Sequence, residues 1–213
     1  MMDTLLNQML SGMVLAGLAF ASNGMAGDAV PDPVVATMNA PAVTAVGPVD
    51  QALMDRAVRW TRDNLAVDVP VRVTTAPETI TLNSAATALS EQVGERDAGL
   101  VALVWTDEPE PVHGFMWPDA RVVIVNVRVL MADGADEETI ARRIERQVIR
   151  GVAMLYGLEA SPNPLSAMWN YTTLEQLDAI GRNLDPPWLR KLQQQAEAWG
   201  VAIDTNSSFF LLR

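Results

Sequence analysis

Apolar positions change their period several times along the chain, and each change marks an element. Residues 49–65 place Leu53, Ala57, Val58 and Trp60 at near-helical spacing behind Asp50, which predicts an amphipathic helix. A strand is predicted over 69–74, then a short helix over 85–93 closed by Gly94. The run 100–106 (LVALVWT) is apolar without alternation, as in a central strand covered on both faces. Two β-rich segments, 112–116 and 120–127, flank the turn-forming Trp117-Pro118-Asp119 and predict a hairpin at the sheet edge.

The strongest helical signal follows. Asp136, Glu137 and Glu138 put negative charge at the start of a long helix over about 137–156, with Ile140, Ile144, Val148 and Val152 one turn apart and Gly157 as the C-terminal stop. Beyond a loop with two prolines, a helix is predicted over 173–180. A last one opens at Asp185-Pro186 and turns Trp188, Leu192, Ala196 and Trp199 inward, and a short apolar segment, 209–212, closes the chain. This order of elements predicts an α+β fold, one domain with a mixed, twisted sheet backed by helices.

Composition narrows the chemistry. The 213 residues carry 26 Asp+Glu against 15 Lys+Arg, a net charge of -11, and Lys191 is the only lysine, so no basic stripe exists for nucleic acid. Without cysteine there are no disulfides and no thiolate metal sites, and a single histidine, His113, excludes any centre that needs two imidazoles. Residues 5–21 are mostly apolar and lead into Ala19-Phe20-Ala21 and Gly24-Met25-Ala26, triplets of the small-x-small form of a cleavage site. We therefore expect 1–26 to be a signal peptide and the protein to be exported, periplasmic or extracellular. The absence of Lys and Arg from the leader argues the other way, and an N-terminal anchor or a cytoplasmic protein with an ordinary apolar helix are the alternatives. The stretch 27–48 has four prolines and no basic residue and predicts an extended tether, so the folded domain is expected over 49–213. No stable membrane span is expected in the mature form.

The long helix and the loop after it resemble the active-site segment of archaemetzincin-type zinc peptidases, a metzincin family of zincin fold. That motif reads His-Glu-x-x-His-x-x-Gly-x-x-His-Cys, then four residues, Cys-x-Met, and later Cys-x-x-Cys. With the family glycine on Gly157, Arg150, Gly151 and Met154 stand where His, Glu and His belong, and Ala160 at the third His. Ser161 and Ser166 take the first two cysteine positions, and Met168 falls on the methionine without a gap. Further on, the segment 181–188 is similar to the later cysteine pair, with Asp185 and Trp188 replacing the cysteines at an offset of one residue. The close part of the resemblance covers about 145–188; upstream only the order of elements is shared.

The resemblance implies a zinc peptidase fold, and the chain lacks the groups that would run it. Arg150 has no lone pair for a metal, Gly151 no carboxylate to act as base, Met154 only a soft thioether, and Ala160 nothing. No catalytic residue, metal ligand or cofactor is expected. Taken singly, Gly157 is ordinary cap chemistry, Met168 an ordinary core methionine and Pro186 an ordinary first-turn proline.

Arg142, Arg146 and Arg150 recur at i, i+4 and i+8, with Arg143 beside them. The simplest reading is a solvated face in which Glu138 pairs with Arg142; the sharper one is that Arg150 projects into the former cleft and grips a carboxylate. Trp169 and Tyr171 are candidates to line that groove. The loop with Asp107, Glu108, Glu110 and His113 reads as a solvated turn, with a metal or acid/base site as the alternative. Together these readings predict a catalytically inactive, archaemetzincin-like protein that binds a peptide or protein partner through its cleft. The alternatives are a structural envelope protein with a vestigial cleft and a hydrolase with a re-purposed, non-zinc site.

Overall fold

The computed structural model describes residues 37–204. The expected leader and the apolar segment 209–212 lie outside the described residues. Four strands, β1 (Ala42–Val46), β2 (Leu100–Val104), β3 (Gly114–Trp117) and β4 (Val122–Asn126), form one sheet in the order β1-β2-β4-β3. β1, β2 and β4 are parallel, with Ala42 opposite Leu100 and Leu100 opposite Val122, and β3 joins β4 antiparallel as the predicted edge hairpin.

Period-2 geometry sends neighbouring residues of the central strands to opposite faces. Val101, Leu103, Val123 and Val125 face the larger core against helices α1 (Gln51–Leu65), α4 (Glu137–Leu155) and α6 (Pro186–Ala198). Leu100, Ala102, Val104, Val122 and Ile124 face the other way, against Leu82, Ala85, Ala86 and Leu89 of α2 (Leu82–Ser90). β2 is buried along its whole length, as its unbroken apolar run requires.

Three expectations for the strands need correction. Residues 42–46, assigned to the tether, are β1, because Ala42, Val43 and Val46 alternate into both cores and the strand closes an otherwise open flank of β2. The segment 69–74 is not a regular strand. Its backbone makes one parallel bridge, Val71 to Val43, because Pro70 withholds a donor and Val73 points into solvent, 96% exposed. The strand expected to reach residue 127 ends at Asn126, whose side chain accepts from the Val129 N–H and starts the short helix α3 (Val127–Leu130).

The helix expected over 85–93 and closed by Gly94 instead runs over Leu82–Ser90, because the Thr81 side chain accepts from the Ser84 N–H and starts it earlier, and Gly94 lies beyond its end. Asp50 accepts from the N–H groups of Ala52 and Leu53 at the start of α1, and Asp136 from Thr139 at the start of α4. The end of α4 is a Schellman motif: Gly157, at φ +78°, donates to the Met154 carbonyl, and Leu158 donates to that of Ala153. Thr173 caps α5 (Leu174–Ala179). Among the described residues, no helix is long and apolar enough to cross a membrane.

Candidate functional site

A cavity of about 420 Å³ opens between the last turns of α4 and the edge hairpin. That volume lies within the range of small-ligand pockets, about 300–1,000 Å³. From α4 it is lined by Gln147, Arg150, Gly151 and Met154, from the hairpin side by His113 and Phe115, and Tyr171 closes it. Helical spacing brings the first four onto one face, since i, i+3, i+4 and i+7 are neighbours. The three helix positions singled out by the resemblance therefore share this cavity.

Gly151 sits where the resembled motif has its glutamate, and here it brings the helix close to the sheet. A Cβ at this position would lie 2.9 Å from both methyls of Val101 and 3.2 Å from a methyl of Val123. The contact is made by the missing side chain.

Arg150 is half-buried. Its Nη1 donates to the carbonyls of Ala167 and Trp169, at 2.6 and 2.7 Å, and its guanidinium lies 5.2 Å from the centroid of the Tyr171 ring. Burial lowers its pKa from the ordinary value, yet an arginine stays charged. Tyr171 is further held by a stacked His113 ring at 5.6 Å and by Gln147, whose side-chain N–H donates to the phenol oxygen. Burial raises the Tyr171 pKa and lowers that of His113, so both rings are neutral at pH 7. No Asp or Glu lines the cavity, which leaves Arg150 as its charge.

The arginine ridge is not a solvated face. Arg142 is exposed and pairs with Glu138 at 2.8 Å, as expected. Arg143 is buried and fully engaged by the carboxylates of Asp133 and Asp178, while Arg146, also buried, donates to the carbonyls of Ile180 and Asp178. With Arg150 holding residues 167 and 169, α4 ties down the chain from 167 to 180. The sequence could not show this, because most of the acceptors are backbone carbonyls, which every residue possesses.

The other motif positions lie outside the cavity. Ala160 is exposed on the loop after α4, and Met168 is buried in the larger core. Ser161 donates its N–H to the Met168 carbonyl, and the Ser166 hydroxyl oxygen accepts from the N–H groups of Met168 and Asp185. Trp188 donates its indole N–H to the Glu159 carbonyl at 2.8 Å. The four cysteine positions of the resembled motif thus form a hydrogen-bonded seam between this loop and the start of α6. Trp169 is 37% exposed on the loop surface and does not line the cavity, contrary to its assignment as a groove residue. Gln147 was missed, although it stands one turn before Arg150.

The acidic loop has a structural task. Asp107 accepts from the Ile80 N–H and Glu110 from the Leu82 N–H, each near the start of α2, where backbone donors lack helical partners. Of the four side chains singled out in this loop, His113 alone lines the cavity, beside Pro111 and Val112. Among the described residues, no three His, Cys, Asp or Glu side chains are grouped to hold a metal ion.

Three solved structures are similar to this chain. Archaemetzincin from Methanopyrus kandleri matches with a TM-score of 0.61 at 19% identity, over 78% of this chain and 99% of the other. The fold is archaemetzincin-like. A zinc-dependent peptidase from Methanocorpusculum labreanum matches this archaemetzincin-like chain with a TM-score of 0.58 at 17% identity, over 71% of it and 99% of the peptidase. Archaemetzincin from Archaeoglobus fulgidus, complexed with malonate, gives 0.53 at 12% identity, over 72% and 99%. No protein-family model and no curated protein matches the sequence.

The zinc implied by this fold does not fit the residues present. Arg150 offers a cation, Gly151 and Ala160 no donor, Met154 a thioether, and His113 one imidazole. Zinc in such a site needs three nitrogen, oxygen or thiolate ligands.

Proposed function

We propose that this archaemetzincin-like chain is catalytically inactive and binds a peptide or protein partner in the former substrate cleft. The observation that carries this reading is the face α4 presents to the cavity: Arg150, Gly151 and Met154, a set with neither an imidazole nor a carboxylate. The open cavity favours binding over a vestigial, filled cleft. A re-purposed hydrolase would need an oriented acid or base; His113 is the one imidazole in the lining, and it stacks on Tyr171 with no cavity carboxylate to orient it.

The edge strand supports the same reading. Among the described residues β3 pairs with β4 alone and is the sheet's edge, a position that suits an added strand. Val112 and Trp117, at either end of it, are exposed, 46% and 40%. We also propose export, on the apolar residues 5–21 and the small-x-small triplets that follow them.

The test uses the full chain and a pool of internally quenched peptides, with zinc added. Saturable binding without cleavage is expected. Chelator-sensitive cleavage would overturn the proposal.

A further inference from the structure

The arginines of α4 divide by what they face. Arg142 and Arg143 meet carboxylates, and Arg146 spends its Nε and Nη2 on carbonyls. Arg150 differs from all three. Only its Nη1 is engaged, and the edge formed by Nε and Nη2 makes no hydrogen bond among the described residues and is not sealed from solvent. That edge presents two parallel N–H groups, the fork that fits the two oxygens of a carboxylate. The two carbonyls on Nη1 and the Tyr171 ring fix the plane of the fork before any ligand arrives, which limits the entropy lost on binding.

The surroundings select for an anion. In a chain of net charge -11, this lining contains no acid. Tyr171 accepts from Gln147 through its oxygen and keeps its own proton without an acceptor, so it supplies a further donor. Burial lowers the His113 pKa, and its neutral ring carries one N–H donor. Several donors, one cation and no competing carboxylate share a space of about 420 Å³.

We infer that this cavity is a carboxylate-binding site in which the Nε/Nη2 edge of Arg150 grips the two oxygens and Tyr171 adds a third hydrogen bond. Two sources carry that group: the C-terminus of a peptide laid along β3, and a small free carboxylic acid. The inference rests on the cleft being the binding surface, and it adds the group that the cleft recognises.

The experiment is an NMR titration of the labelled full chain, read at the Arg150 Nε–H and at the Gly114 and Gly151 amides. The probes are an N-acetylated tetrapeptide pool with free C-terminal carboxylates, the same pool with C-terminal amides, and acetate. Saturable shifts with the acid pool, at least about tenfold weaker with the amide pool, are expected, since the amide loses the charge-assisted pair. Acetate alone moving these resonances would uphold the carboxylate site and overturn the peptide reading. Equal binding of both pools here would overturn the carboxylate inference and leave the peptide reading standing. Silence toward all three probes would overturn both. Because Arg150 also holds residues 167 and 169, its replacement can disturb the loop. Tyr171→Phe keeps the ring, removes the donor together with the acceptor of the Gln147 amide, and is expected to weaken the acid pool several-fold. An acid pool bound as tightly as by the unaltered chain would contradict the assignment.

Discussion

The two halves of α4 use the same residue type for opposite ends. In the first half, Arg143 lies between Asp133 and Asp178, and Glu145, 1% exposed, between Arg56 and Arg182. Those two buried charges meet their opposites and are consumed by the fold, while Arg146, at the midpoint, spends Nε and Nη2 on the carbonyls of Ile180 and Asp178. In the second half, Arg150 meets only carbonyls and an aromatic ring, and its Nε and Nη2 make no hydrogen bond among the described residues. Balanced charge marks scaffold, and unbalanced charge facing a cavity marks the place where a ligand completes the balance.

The sharpest way to break this contrast is Arg143→Ala. It leaves two carboxylates facing each other without their cation, and about 3 kcal/mol of stability is expected to be lost, toward the low end for a buried pair because both partners reach solvent. Denaturant unfolding measures it. Gly151→Glu follows, returning a carboxylate to the position where the resembled motif has one. Its Cβ meets Val101 and Val123, so a loss of about 2 kcal/mol is expected, and zinc added to the folded variant should not raise its melting temperature. Arg150→Gln should cost less stability, about 1 kcal/mol, since two carbonyls lose a charged donor but can reach solvent, while binding of the acid peptide pool falls at least about tenfold.

The smallest effect is electrostatic. Hydrogen bonds from Arg143 hold the Asp133 carboxyl at about 2, and those from Arg56 and Arg142 hold Glu138 at about 2. Both folded values lie below the unfolded ones, near about 4. Their contribution is therefore complete above about pH 4 and is lost as pH falls toward 2. Melting temperature measured from pH 5 to pH 2 should fall, and Arg143→Ala should flatten part of that slope.

Most of the scaffold was readable because burial leaves a periodic trace. The unbroken apolar run of β2, the hairpin around Pro118 and the caps of α1 and α4 all appear where local chemistry demands them. β1 was hidden because its neighbours in sequence are proline and small residues, a composition that also suits a tether, and only pairing with β2, far along the chain, makes it a strand. Residues 69–74 erred the other way, with alternating valines but a proline where a ladder donor is needed. At the site, the motif positions located the cavity wall on α4, yet neither the carbonyl partners of Arg146 and Arg150 nor the contribution of Gln147 was visible. Those depend on how the segment 167–180 folds back over the helix.

In our proposal this archaemetzincin-like fold holds no zinc in its cleft. Metal content by mass spectrometry, on the full chain purified without a His-tag and without chelator, tests it directly. Dividing the chain at Val49 would remove β1 from the sheet, so the full chain is required. Zinc far below one per chain is the predicted result. A stoichiometric zinc that a substitution of His113 displaces would overturn this reading of the cleft.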